Sequence, residues 1–500
     1  MAKADRSRFA KKGVRKRCAG GFSGFRASAV PCFHGPRQAE ETRMRLFGSI
    51  LRGAALAVFM LVAGVMVWLS VAPPELLRVG TGYAAKIVCS NVFLAGRDPE
   101  AVLALDVQAP GHPLLRLVGV DVDTKSGVVT ARMLGAFARG TAVYREGLGC
   151  ASVPDGNVEA ALAFSAPAAG SPAVTDAAAT WPEGEKTLPA DPRIAPLLSD
   201  PALVGPGMRA VVVVKDGRIV GETYGPGFSP TTPLLGWSMA KTVNAAILAR
   251  LVEEGRLALD DTRLLPEWSD EPHASIRLRD LLAMESGLEF NEDYGDVADV
   301  TRMLYLEPDM AGFSLAKPVL AGTGQRFGYA SGTSVLLARI WMSRFADPAQ
   351  ALAYPRQALF DPLGMTSAVL EADASGTFVG SSYLYATARD WARFGQLLVD
   401  DGVWNGKRLL PEGFVAAMQR PTAASGGRYT EIQAWQVGPG DEPDESFGLT
   451  PETFWLQGHD GQVVAVIPSQ RLVVVRLGLT PSRLGYRPQN LVKAVSDTTR

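Results

Sequence analysis

Ser238-Met239-Ala240-Lys241 sets a hydroxyl and an amine three residues apart at the expected start of a helix. At about 100° per residue, the two side chains lie about 60° apart, on one face. A serine hydroxyl is a weak nucleophile and needs a base within hydrogen-bond reach. A lysine can be that base when desolvation or nearby positive charge lowers its pKa. The positive end of a helix also favours an alkoxide developing on Ser238. A second such tetrapeptide, Ser314-Leu315-Ala316-Lys317, runs straight into Pro318. That proline would disrupt the helix needed to join the pair. Taken alone, one or two matches are expected by chance in a chain of this length, and an N-cap serine beside a surface lysine competes with the chemical reading.

Two later motifs supply context: Tyr329-Ala330-Ser331 and His459-Asp460-Gly461. In this order the three motifs resemble those of the penicillin-recognising serine hydrolases. These comprise class C β-lactamases, D-alanyl-D-alanine carboxypeptidases, esterases of that fold and aminohexanoate-dimer hydrolases. The phrases LRDLLAMESGL at 278–288, PLGM at 362–365 and LYATARDWARFGQLL at 384–398 agree with it. The resemblance spans about residues 194–485 and leaves 1–193 uncovered. It implies that Ser238 is acylated, that Lys241 accepts or relays its proton, and that Tyr329 passes a proton to the leaving group. His459-Asp460-Gly461 would stand on the strand flanking the site, with Ser331 and Gly461 beside the substrate. Backbone N–H groups of Ser238 and Gln462 would form the oxyanion hole, each worth about 3 kcal/mol of barrier.

Two departures bear on the substrate. Ser331 stands where the β-lactamases have an asparagine, and His459 where they have a lysine, so a fixed positive charge is lost or becomes pH-dependent. Both resemble the aminohexanoate-dimer hydrolases and related esterases. The expected chemistry is therefore hydrolysis of a small amide or ester, with little or no action on penicillins and with no cofactor or metal. A D-alanyl peptidase of cell-wall peptides, and a scaffold that binds an acyl ligand without turnover, are the competing functions. Tyr383, Tyr385, Trp435 and Trp455 are candidates for an acyl-pocket wall or for core packing, and 421–450 reads as a loop that could shape specificity.

The elements that must hold these groups are legible in part. Val243, Ile247 and Leu251 form an apolar stripe closed by Gly255, a helix following Ser238. Ala210–Val214 and Ile219–Glu222 read as a hairpin, Gln462–Ile467 and Arg471–Leu477 as a second strand pair, and 278–284, 332–344 and 389–399 as helices. Strands at both ends of the segment with helices between them give an α/β (α+β) class. The resemblance sharpens this to a β-lactamase/transpeptidase-like antiparallel sheet flanked by helices, with an all-helical subdomain.

The remainder of the 500 residues is organised by charge and hydropathy. Residues 1–46 carry 12 Lys+Arg against 3 Asp+Glu, about +9, which leaves about −10 elsewhere and a total of −1. That balance argues against a nucleic-acid partner. Ala54–Ala72 is almost wholly apolar and long enough for a hydrocarbon core of about 30 Å. The expected organisation is a disordered cytoplasmic tail (1–46), a transmembrane signal anchor (47–74), a small α+β module (75–165), a Pro/Ala-rich linker or strap (166–193) and a hydrolase domain (194–500). By the positive-inside rule, the body lies outside a bacterial inner membrane, in the periplasm. A cleaved signal peptide ending near Ser70-Val71-Ala72 is the alternative, and Met44 is an alternative start to Met1. Cys18 and Cys32 lie in the tail. Cys89 and Cys150 are exported and are candidates either for a disulfide or for two unrelated buried thiols. The histidines (His34, His112, His273, His459) are scattered, which gives zinc no support.

Overall fold

The computed structural model describes residues 36–109, 111–166 and 178–500. The expectations for Cys18, Cys32, His34, most of the basic tail and the middle of the Pro/Ala-rich segment lie outside them. The first helix, Pro36–Val71 (α1), starts earlier than the apolar run. Pro36 sits at its first position, where a missing N–H costs nothing, and QAEETRMR continues with good helix formers. Within α1, Arg43–Val71 is long and apolar enough to cross a membrane. A second helix, Glu75–Ala95 (α2), ends at Gly96 in the left-handed conformation, whose N–H bonds the carbonyl of Val92 at 3.1 Å. It lies on an antiparallel sheet of Val118–Asp123 (β1), Val128–Met133 (β2), Phe137–Arg145 (β3) and Gly149–Ser152 (β4), in that order. A Cys89–Cys150 disulfide ties α2 to β4.

The main sheet has five antiparallel strands: Met208–Lys215 (β5), Arg218–Tyr224 (β6), Phe454–Gly458 (β7), Gln462–Ile467 (β8) and Leu472–Gly478 (β9). Their order is β7-β8-β9-β5-β6, with Val474 opposite Val213, so the two ends of the segment meet as the sequence suggests. Val212, Val214, Val464, Val466, Val473 and Val475 face one core, completed by Ala240–Glu253 (α3), Leu278–Leu282 (α4), Ser331–Met342 (α6) and Ala388–Val399 (α7). Asp299–Leu306 (α5) lies between α4 and α6 in the chain. Val211, Val213, Val463, Ala465 and Val474 face a second core with Leu491, Val492 and Val495 of Pro488–Thr499 (α8). Both faces are covered, which is why these strands are continuous apolar runs and do not alternate.

Residues 75–165 share a core with the rest of this body. Val79, Ile87, Val88 and Cys89 of α2 pack with Val300, Met303, Leu304 and Tyr305 of α5 and with Trp237. At Gly82 the backbones come so close that a Cβ would sit 2.9 Å from the Tyr305 carbonyl oxygen. Polar groups lock the same contact. Lys86 pairs with Glu371 at 2.5 Å, both fully buried, and Glu371 also accepts from Ser90 (2.9 Å) and from the Cys150 N–H (2.6 Å). Residues 178–193 run as a strap, with Trp181 buried and the Arg393 guanidinium donating to the carbonyls of Pro182 (3.0 Å) and Gly184 (2.7 Å).

Candidate active site

Ser238 sits in the 3-10 turn Trp237–Met239 that feeds α3, and Lys241 lies in the first turn of the helix. The approach to that turn is strained. Trp237 has φ 49°, uncommon for a bulky residue, and the preceding Gly236 packs so tightly on the Trp391 ring that a Cβ there would lie 2.2 Å from it. The sharp turn leaves Ser238 half-exposed at the surface of the site while Lys241 is buried below. Among the described residues, the Ser238 N–H finds no protein acceptor.

The Lys241 ammonium is 3.0 Å from Ser238 Oγ, 3.1 Å from Ser331 Oγ and 3.0 Å from the Ser381 carbonyl. Burial brings its pKa down to about 8, against a smaller upward pull from Glu292. Tyr329 stands over this group, with Lys241 Nζ 4.8 Å from its ring centre. Burial, then the Glu292 charge, hold the Tyr329 phenol protonated, although hydrogen bonds with Ser238 and Trp435 oppose them. The Tyr329 ring is fixed by Trp435 at 5.2 Å and Tyr429 at 5.7 Å, both from the 421–450 loop.

Ser238, Lys241, Tyr329 and Ser331 thus come together, but Ser331 in a different position from the expected one. It is fully buried beneath Lys241, and its hydroxyl and N–H donate to Glu292 at 2.5 and 2.7 Å. It therefore faces Lys241 and Glu292, and its side chain has no surface for an acyl chain. Glu292 is absent from the sequence expectations. It belongs to an acidic loop, NEDYGD, in which nothing but the 39-residue-distant contact with Ser331 singles it out.

The third motif is corrected too. His459, Asp460 and Gly461 form the turn between β7 and β8, with Asp460 at φ 56° and Gly461 at φ 86°. Asp-Gly suits those left-handed positions. The strand flanking the site is β7. His459 stands exposed at its end, stacked on Tyr294 (4.8 Å, 28°) and edge-on to Trp237 (5.6 Å). Gly461 accepts from Arg476 at its carbonyl (2.9 Å) and serves the turn. Gln462 also departs from its expected place. It lies on the interior strand β8, opposite Gly458, and its buried amide is bonded to the backbone of Gly478.

The free edge of β7 also carries backbone N–H groups. Trp455 exchanges N–H and C=O bonds with Trp435 (2.8 and 2.9 Å), which sets its backbone toward that edge. Antiparallel pairing alternates every residue, so Gln457 presents its N–H to the same edge. The neighbouring Gly458 approaches the Gly236 carbonyl so closely that a Cβ would be 2.1 Å away. Trp455, Tyr383 and Tyr385 are core residues, whereas Trp435 borders the site. In the second tetrapeptide, Ser314 bonds the Met310 carbonyl (2.9 Å) and Lys317 pairs with Asp299 (2.6 Å), so the two do not meet.

Residues 202–490 match the Beta-lactamase family. A 6-aminohexanoate-dimer hydrolase of Paenarthrobacter ureafaciens is 25% identical over 289 residues, 52% of this chain and 72% of that one. Among solved structures, a penicillin-binding protein homologue from Caulobacter crescentus is 18% identical (TM-score 0.48, covering 62% of this chain and 99% of that one). A penicillin-binding protein from Bacillus halodurans is also 18% identical (TM-score 0.46, 61% and 99%). With the match extending over more than half of its length and over the hydroxyl–amine pair, this chain belongs to the Beta-lactamase family of hydrolases.

Proposed function

We propose that this serine hydrolase cleaves a small amide or ester through an acyl-enzyme on Ser238. The observation that carries the reading is the buried Lys241 amine, 3.0 Å from Ser238 Oγ with its pKa brought down to about 8. As Ser238 Oγ bonds the carbonyl carbon, its proton passes to Lys241. The oxyanion is received by the N–H groups of Ser238 and Gln457. Collapse breaks the bond to the leaving nitrogen or oxygen. The Tyr329 hydroxyl gives that atom a proton and regains one from Lys241, acting as a neutral relay. Water then attacks the acyl-enzyme by the same route in reverse and releases Ser238.

His459 at the rim, in place of a lysine, leaves no fixed cation for a β-lactam carboxylate, so penicillin turnover is expected to be weak or absent. We further propose that α1 anchors the protein as a single pass, with a cytoplasmic N-terminus and the hydrolase domain, residues 194–500, outside the membrane. The basic residues before the apolar run and the Cys89–Cys150 disulfide support this topology.

The test is hydrolysis of p-nitrophenyl esters and anilides, with nitrocefin for comparison. Ser238→Ala should lose about 10³-fold or more in kcat and lose labelling by a fluorophosphonate. Full activity in Ser238→Ala would end the reading.

A further inference from the structure

Beside the Ser238 turn lies a cavity of about 200 Å³. One side is built from residues 75–165: Val79, Gly80 and Tyr83 of α2, with Leu115 and Met133. The other is built from Trp237, Tyr294, Tyr305 and His459. Trp237 directly precedes Ser238, so the cavity borders the turn that carries the reactive hydroxyl, and His459, edge-on to Trp237, follows the end of β7.

Its lining is mostly apolar, with Asp296, Asp460, His112 and His459 at its polar edge. The Tyr83 hydroxyl donates to the Asp106 carbonyl (3.0 Å), and Thr301 donates to the Asp296 carbonyl (2.9 Å). An apolar cavity of about 150 Å³ is enough for benzene. Its volume therefore suits a phenyl ring or a short branched alkyl chain.

Its place along β7 says which end of the substrate it takes. Tyr329 packs on Trp435, which is paired with Trp455 near the start of the strand. His459 lies four residues further on, about 13 Å at strand rise, with Gln457 between them. A leaving atom protonated by Tyr329 sits at the Trp455 end, which directs the acyl group toward His459.

We propose that residues 75–165 supply an acyl subsite, and that the substrates are amides or esters of compact apolar or aryl acids. This rests on the Ser238 acyl-enzyme reading. It gives the N-terminal module a part in substrate choice, since without it the cavity loses a wall.

The experiment compares kcat/KM for p-nitrophenyl acetate, butyrate, hexanoate and phenylacetate. A Cβ at Gly80 would lie 3.3 Å from Leu115 Cδ2, so Gly80→Leu fills the space against a flexible side chain. Wild type should favour butyrate or phenylacetate over acetate tenfold or more. Gly80→Leu should abolish that preference, and Met133→Ala should move the optimum to a longer chain. A wild type without the preference, or an identical acyl profile in all three folded proteins, overturns the subsite. Undiminished turnover in Ser238→Ala would instead overturn the acyl-enzyme, whatever the profile.

Discussion

Burial lowers the pH at which Lys241 can act and Glu292 opposes it, and removal of Glu292 makes a quantitative test. Hydrogen bonds of 3.1 and 2.5 Å, joined through Ser331 Oγ, hold the Lys241 amine and the Glu292 carboxylate within about 5.6 Å. At an effective dielectric near 20, unit charges at that distance interact by about 3 kcal/mol, equivalent to about 2 pK units. Glu292 is half-buried, and solvent screening brings the expected effect to about 1 unit. Its sign is fixed. The carboxylate favours charged Lys241, whereas the base that takes the Ser238 proton must be neutral. Glu292→Gln keeps an acceptor for Ser331 and deletes the charge. The ascending limb of kcat/KM against pH, expected near 8 in wild type, should therefore fall by about 1 unit in the variant. Anilide hydrolysis between about pH 5.5 and 10 reads it directly. A limb that stays put or moves upward, in a protein that still turns over, refutes this account of Lys241.

Two further predictions concern buried charge. The Lys241 pKa falls from 10.5 to about 8 on folding, so the folded state carries a desolvated cation at a cost below pH 8 that fades as pH rises to 10.5. Lys241→Met should raise Tm at pH 7, and the gain should shrink toward pH 10.5; a gain that grows with pH would contradict the burial of the charge. Glu371→Gln leaves Lys86 buried without its partner and should cost about 3–5 kcal/mol in urea unfolding. Adding Lys86→Met should restore part of it, and a single-variant loss below about 1 kcal/mol would mean that the pair does not hold α2 to the body.

Periodicity exposed the elements whose patterns are local. The helix after Ser238 and the hairpins of β5–β6 and β8–β9 lie where apolar spacing and turn residues set them, because both signals act over a few residues. Residues 75–95 are harder to read. Gly80 and Gly82 weaken the helical signal, and small residues buried on several sides leave no polar stripe, since α2 is clasped between its own sheet and α5. Strand β7 is hidden for a related reason. Its five residues contain Gln457 and Gly458, chosen by the site edge and by the close approach of Gly236, so β-propensity is overridden. With β7 unread, the sequence places the 459–461 turn on a strand and the second expected oxyanion donor at Gln462, one strand inward from β7.

The candidate site divides along the same line. The residues proposed to exchange the proton, Ser238, Lys241 and Tyr329, are recognisable because that chemistry requires particular types at particular spacings. Residues that tune the exchange have no such signature. Ser331 meets Lys241 across 90 residues and Glu292 across 39, and Ser381 offers Lys241 only a carbonyl. A backbone carbonyl can come from any residue type, and a carboxylate in an acidic loop is one of several. Burial and Glu292 act on Lys241 in opposite directions, and burial wins. Their balance, and hence the working pH, is set by how deeply α3 is packed and how closely the 289–298 loop approaches it. Substitutions in that loop can therefore move the pH optimum without altering any of the three motifs.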